Sequence, residues 1–299
     1  MSYEVQYLAL LQELLAEGIY TEDRTGTGTY SKFGYIIRHN LTEGFPLLTT
    51  KKINFNLVAG ELLWFLSGKT DLPSLRVYQN KPEGSHTIWS DDFEKYNANN
   101  LAWDSREEGG SIYGAQLRSW VTVNNGKMVI HDQLTTLIEN IKKVKEDPCH
   151  PTARRLRCSF WNPYDHTVGD KKWCALPACH TDFQCIVRGT KLNLSFTMRS
   201  NDVFLGNPYN IASYALLCHI LAQLTGLEVG ELVFFGNDVH LYSNHVEQAK
   251  EQLSRTIKTT PEIVMPEFSS LEELLLLTGK DFQLEGYNPH TFIKAPQAS

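Results

Sequence analysis

The residues best suited to chemistry gather where cysteine, histidine and arginine fall close together. Leu176–His180 (LPACH) sets Cys179 beside His180. A thiolate is a soft nucleophile that can add to an electrophilic carbon and later leave, but a thiol of pKa about 8.5 needs positive charge nearby to ionise. A buried cysteine that only packs is the competing reading of the same residue. Zinc is another use of these residue types, and Cys149, His150, Cys158, Cys174 and Cys185 lie within reach in sequence. There is no CxxC pair, however, and no HxE followed by PCxxC, so the spacing points away from a structural or deaminase zinc site. No metal is expected.

Arginines form the second group. Arg24 opens a Gly/Thr loop (RTGTGT), Arg154 and Arg155 are adjacent, and Arg199-Ser200 precedes Asp202. Planar guanidinium groups suit a phosphate dianion, although each one alone also reads as solvated surface charge. RTGTGT is neither a Walker A loop nor GxGxxG, so it implies no nucleoside triphosphate or dinucleotide site. Glu61 sits inside an apolar run, FNLVAGELLWFL, where an unpaired carboxylate would be costly.

These residues must be positioned by regular elements. Tyr3–Ala16 has apolar residues at helical spacing and ends near Gly18. Phe55–Leu66 and Ile130–Lys145 read as helices, and Asn210–Leu224 is apolar on nearly every face, the mark of a buried helix. Tyr30–Asn40, Leu156–Trp161, Thr181–Val187, Leu192–Arg199 and the short run Leu232–Phe235 read as strands, while Ser85–Asn100 looks irregular. Strands and helices do not alternate strictly, which predicts an α+β fold with a central mixed or antiparallel sheet packed by helices. No linker, repeat or low-complexity tract divides residues 1–299, so one domain is expected.

Composition narrows the class. The 299 residues are 42% hydrophobic and 21% charged, with 28 basic and 34 acidic side chains for a net charge of −6. That balance disfavours general nucleic-acid binding. Six cysteines in a chain this long make no disulfide framework, the first eighteen residues have no basic leader region, and no apolar run approaches the ~20 residues that cross a bilayer. A cytoplasmic protein without membrane association follows as the expectation.

The motifs taken together are more specific. RTGTGT, TTKK, ELLWFLSG, IW, IYGAQLR, ARR, SFWNP, LPACH, RSNDVFLGNPYNIASYALL, NDVHLYSNH and GYNPHTFIKAP occur in that order over nearly the whole chain. In order and spacing the chain resembles the thymidylate synthase family. The resemblance implies a homodimer built on one sheet face, with shared active sites. It implies transfer of one carbon from 5,10-methylenetetrahydrofolate, as co-substrate, to C5 of dUMP, with no nicotinamide or flavin. Cys179 matches the nucleophile that adds to C6 of the pyrimidine, and Arg199 the arginine beside both sulfur and phosphate. Arg24, Arg199 and Ser200 match the phosphate cup, joined by Arg154 and Arg155 from the second subunit. Asn210 matches the reader of the base. Its amide suits uracil O4 and N3–H, although an N-cap role for the following helix fits the same residue. His240 and Tyr242, two apart in a β-like run, match the pair that binds the sugar. Glu61 matches an acid that organises water and moves protons, Tyr113 a group implicated in removing the C5 proton, and His180 a supporting group. Held by backbone bonds, His180 would equally be a core histidine. Lys51, Trp89, Asp202, Leu205, Gly206 and Tyr209 match folate-contacting positions, with Asp202 on the pterin and Lys51 near the glutamate tail.

Some residues depart from the family's pattern. Ala178 replaces a usual proline, Asp182 a common aromatic, Ser111 a proline and Met198 a common glutamine. The chain closes APQAS, with Gln297 and Ser299 where apolar residues usually cap the folate. A polar cap favours water over hydride, so a pyrimidine nucleotide hydroxymethylase is the second reading. A non-catalytic nucleotide- or RNA-binding relative is the third, and it would need no nucleophile.

Overall fold

The computed structural model describes residues 2–22, 26–98, 107–167 and 173–297. Its strands are β1 (Ile19–Thr21), β2 (Thr29–Asn40), β3 (Trp120–Asn124), β4 (Lys127–His131), β5 (Arg157–Ser159), β6 (His180–Arg188), β7 (Lys191–Asp202) and β8 (Glu228–Tyr242), with one further short pair, Glu262–Val264 and Gln283–Glu285. Six of them form a mixed sheet in the order β1-β2-β8-β7-β6-β5. Neighbours are antiparallel except β7 and β8, which run parallel. A parallel pair needs a crossover, and a long helix supplies it, as α+β organisation requires here.

The helices that matter to the site are α1 (Tyr3–Glu17), α2 (Phe55–Ser67), α3 (Leu72–Tyr78), α4 (Ser90–Ala98), α5 (Tyr113–Arg118), α6 (Gln133–Glu146), α7 (Pro163–Thr167) and α8 (Gly206–Thr225). The crossover helix α8 packs on β7, β8, α2 and α6. Ile211, Ala212, Ala215, Leu216, Cys218, Ile220 and Leu221 are all buried, which is why its sequence is apolar on nearly every face. Beneath it, Phe183, Leu192, Leu194, Phe196 and Phe234 point inward from the sheet. The opposite sheet face carries the cross-strand row Ile36, Phe235, Thr197 and Asp182. Ile36 is 52% exposed there.

Three elements differ from the sequence reading. Ser90–Ala98 is a helix rather than irregular chain, because Phe93, Tyr96 and Asn97 turn inward at helical spacing while its other face stays polar. The run Leu232–Phe235 is the middle of a fifteen-residue strand whose polar residues alternate with buried ones between two partners. Helix α6 begins at Gln133, where Asp132 Oδ1 caps Thr135 N at 3.0 Å. Ile130 belongs instead to the β3–β4 hairpin, turned by Asn125 and Gly126 with φ of 50° and 74°. Among the described residues no helix is long and apolar enough to cross a membrane.

The segment before α2 is fixed by one buried carboxylate. Glu4 on α1 accepts from Thr49 N (2.8 Å), Thr49 Oγ1 (2.7 Å), Thr50 N (2.7 Å) and Thr50 Oγ1 (2.8 Å). Both threonines are buried, so removing the carboxylate strands several donors at once. Stranding a single buried donor costs about 1–3 kcal/mol. Glu4→Ala should therefore lower the urea unfolding free energy by at least that amount, and an unchanged midpoint and slope would show the bracket to be dispensable.

Candidate active site

Inward alternation on β7 runs Leu192, Leu194, Phe196, Met198 and then breaks. Arg199 and Ser200 are both half-buried, and Asn201 is the next residue to turn fully inward. The break carries Arg199 to the loop that precedes β6. Its Nε donates to Ala178 O (2.8 Å) and its Nη2 to Pro177 O (3.2 Å), which leaves Nη2 3.8 Å from Cys179 Sγ. The guanidinium also lies 5.6 Å from the Trp161 ring. Cys179 thus has a fixed cation against its sulfur, the condition that favours a thiolate.

The sulfur is positioned from the other side by Tyr113. Its hydroxyl oxygen accepts from Cys179 N (2.8 Å) and His180 N (3.3 Å). Burial raises the Tyr113 pKa far above that of an ordinary phenol, with the Cys179 charge adding to the effect. The phenol therefore stays protonated. Its ring packs against Phe65, Trp89, Phe160 and His180.

Asn210 lies in the first turn and a half of α8, not at its N-cap, so the capping reading is set aside. Asp202 shapes the start of that helix, since its Oδ1 accepts from Phe204 N (2.9 Å) and Leu205 N (3.1 Å). The Asn210 side chain donates to His180 Nε2 at 3.1 Å, and His180 Nδ1 is 3.0 Å from the Tyr214 hydroxyl. His180 is therefore held by side chains rather than by backbone groups. At Gly206 a Cβ would sit 3.4 Å from Asn210 Oδ1 and 3.6 Å from the Asp202 Cβ, so the wall between those two residues is left bare.

Glu61 finds the partner its apolar helix demanded: Trp89 Nε1 donates to Oε1 at 2.7 Å. Burial raises the Glu61 pKa and the indole bond opposes it. Trp89 itself is buried among Trp64, Phe65 and Phe93. Tyr209 and Leu205 are half-buried, and Tyr209 lies near enough to Glu61 for its charge to help raise the Tyr209 pKa, after burial. Lys51 is not open to the surface. It lies 2% exposed beneath the β7–α8 turn, where it bonds the Phe204 carbonyl and covers the Phe204 ring at 3.7 Å. Burial lowers its pKa to about 7 despite the nearby Asp202.

On β8, His240 pairs in register with Asp202, its Nδ1 lies 3.2 Å from Asp238 Oδ2, and its ring meets Tyr242 at 5.2 Å. Ser200 pairs with Asp238 on the same strands. Arg154 and Arg155 stand apart. They are exposed in the turn before β5, and neither guanidinium makes a hydrogen bond or ion pair among the described residues. Arg24 and Ser299 lie outside the described residues. Gln297 is exposed, while Ile293 is buried and the Pro296 carbonyl is bonded to His245 Nε2 at 2.7 Å. Asp182 is paired with Arg157 on the outer sheet face at 3.1 Å.

The thymidylate synthase pattern matches residues 5–299 of this sequence. The chain belongs to the thymidylate synthase family. It is similar to a protein of Escherichia phage T5 described as a probable thymidylate synthase, at 44% identity over 298 residues, covering 98% of this chain and 99% of the phage protein. Family membership makes it an enzyme of the methyltransferase class. The site also holds residues that sequence reasoning missed, namely Asn201, Asn207, Tyr214 and Trp161. For two of them, Asn207 and Tyr214, a signal existed. Asn207, Asn210 and Tyr214 are spaced to share one helical face, in a stretch otherwise apolar.

His180 makes pH a probe of this pocket. Burial lowers its pKa from 6.5 to about 4. Above 6.5 the imidazole is neutral in both states and its contribution to stability is full. As pH falls toward 4 the unfolded chain takes up a proton that the folded chain refuses, so stability is lost across that window. In His180→Gln the unfolding free energy should fall less steeply between those pH values than in the parent. The slope that remains comes from other buried histidines such as His219. Equal slopes in urea titrations would show that His180 protonates freely in the folded state.

Proposed function

We propose that this enzyme is a thymidylate synthase, converting dUMP to dTMP with 5,10-methylenetetrahydrofolate becoming dihydrofolate. The observation that carries the reading is the Arg199 guanidinium held against Cys179 Sγ while Tyr113 fixes the adjoining backbone. Cys179 adds to C6 of the uracil, which makes C5 nucleophilic. Arg199 favours the thiolate and, with Ser200 and Arg24, receives the phosphate. Asn210 donates to O4 and accepts from N3–H, and His240 with Tyr242 binds the sugar. Glu61, whose carboxyl holds a proton more readily than a surface acid, serves proton movement at O4. Tyr113 keeps its own proton, so it acts on the C5 hydrogen through a water rather than as a phenolate.

The folate co-substrate supplies the carbon and a hydride when bound. The absence of a side chain at Gly206, beside Asp202 and Asn210, suits a flat ring there, with Leu205, Tyr209 and Trp89 as further folate contacts. Buried Lys51 supports the turn that carries Asp202 and Leu205 rather than reaching the folate tail. The whole chain acts as a single catalytic domain, in the cytoplasm. Two copies join through the sheet face bearing Ile36 and Phe235, and each supplies Arg154 and Arg155 to its neighbour. Their exposure and lack of partners among the described residues favour that arrangement.

Cys179→Ser should cut turnover at least about a thousandfold, the scale on which loss of a nucleophile is felt, while dUMP binding survives. A serine variant with parental turnover would remove Cys179 from the role. In the parent, dihydrofolate absorbance should rise in step with dTMP. If 5-hydroxymethyl-dUMP forms without dihydrofolate, the enzyme is a hydroxymethylase and the polar Gln297 tail fails to exclude water. For the shared site, Cys179→Ser chains mixed with Arg154→Glu/Arg155→Glu chains should regain activity, one working site per mixed dimer. Mixed dimers that form yet stay inactive would refute the exchange of arginines.

A further inference from the structure

The hydrogen bonds on Asn210 belong to a file of side chains that runs far behind the pocket. The Tyr3 hydroxyl donates to Asn207 Oδ1 (3.1 Å), Asn207 Nδ2 to Asn201 Oδ1 (2.9 Å), and Asn201 Nδ2 to Asn210 Oδ1 (3.1 Å). Asn210 Nδ2 then donates to His180 Nε2 (3.1 Å), and His180 Nδ1 meets the Tyr214 hydroxyl (3.0 Å). Tyr3, Asn201 and Asn207 are at most 1% exposed, so these bonds have no water to compete with them.

A primary amide is ambidextrous. Turned by half a rotation it exchanges oxygen and nitrogen with almost no change of shape. One orientation of Asn210 places N–H against uracil O4 and oxygen against N3–H. The other suits the N4 amino group and the N3 lone pair of cytosine. Asparagine at this position therefore does not by itself choose the base; what holds the amide chooses it.

Within the file, all the amides could turn together and send every hydrogen bond the opposite way. Met198 breaks that symmetry. Its Sδ lies 3.2 Å from Asn201 Nδ2, and a thioether accepts but cannot donate. With the Asn201 nitrogen committed to the sulfur, its second N–H faces Asn210 and requires oxygen there. Asn210 must then turn its nitrogen to His180 Nε2, and His180 carries its proton on Nδ1. The burial that keeps His180 neutral is consistent with a single proton on that ring.

We propose that Met198 and Asn201 are a specificity-determining pair that locks the Asn210 amide in the uracil-reading orientation, an inference that rests on the pyrimidine nucleotide substrate argued above. Neither residue touches the base. Both are positioning residues that act through Asn210.

The test has one arm in the free protein and one with nucleotides. Nitrogen-15 NMR of the ring of His180 should find the proton on Nδ1 in the parent. In Asn201→Leu, which keeps volume and removes both amide roles, the two tautomers should mix. Met198→Leu, a milder change in case the first variant folds poorly, should shift the ring in the same direction. By calorimetric titration with dUMP and dCMP, the preference for dUMP should drop about tenfold in Asn201→Leu, the factor expected when one base-edge hydrogen bond is no longer assured. An unchanged tautomer, or an unchanged dUMP to dCMP ratio in a folded variant, overturns the proposal. A parent that binds neither nucleotide overturns the substrate reading and with it the specificity role, while its His180 tautomer still decides whether the amide is locked.

Discussion

The oxygen of Tyr113 is the point at which the two halves of the pocket meet. Behind it stands an aromatic cluster drawn from α2, α4 and the residue before α4, including Phe65, Trp89 and Phe93. In front of it are the backbone amides of Cys179, just before β6, and of His180, its first residue, both donating to that single oxygen. The ladder between β6 and β7 shifts register between His180 and Asp182, so the strand end needs an outside acceptor. A side chain with two degrees of rotational freedom, clamped by rings on several sides, supplies it. The position of the sulfur is therefore set in part by the packing of the helices around Tyr113.

That packing also separates charge within the pocket. Arg199 spends donors on the Pro177 and Ala178 carbonyls, which anchors its charge without neutralising it. Across the site Glu61 is wrapped in an apolar helix and given one indole N–H, so desolvation outweighs stabilisation of its charge. An anion is favoured at one end and a retained proton at the other. Reactions that begin with a nucleophile and require proton traffic afterwards need those two environments close together.

Much of this was legible in the sequence, and the limits have physical causes. The buried helix α8 was visible because nearly every face of it is apolar, whereas LPACH gained its meaning only beside the other ordered motifs, since a cysteine next to a histidine can equally pack or hold a metal. The length of β8 was hidden because polar residues interrupt its apolar run, which only a central place between two strands explains. The helix at Ser90–Ala98 was missed because its burial rests on Phe93 and Tyr96 within a polar stretch. The break at Arg199 could not be foreseen, since alternation on β7 looks regular until the fold turns Asn201 inward. For the same reason Asn210 was legible as a base reader while the side chains that orient it were not.

The clamp on residues 48–53 joins parts of the chain that lie far apart in sequence. Glu4 holds it from one side. From the other, Tyr287 donates to Leu48 O across 239 positions and accepts from Ile53 N, while His290 N bonds Thr49 O. Residues 48–53 therefore cannot be locked until residue 287 has been made. Contacts of such separation slow folding, and a nascent chain must wait with its apolar α8 already made but its neighbours unsettled. The late segment 287–293 becomes the step whose loss should leave a collapsed but unfinished pocket.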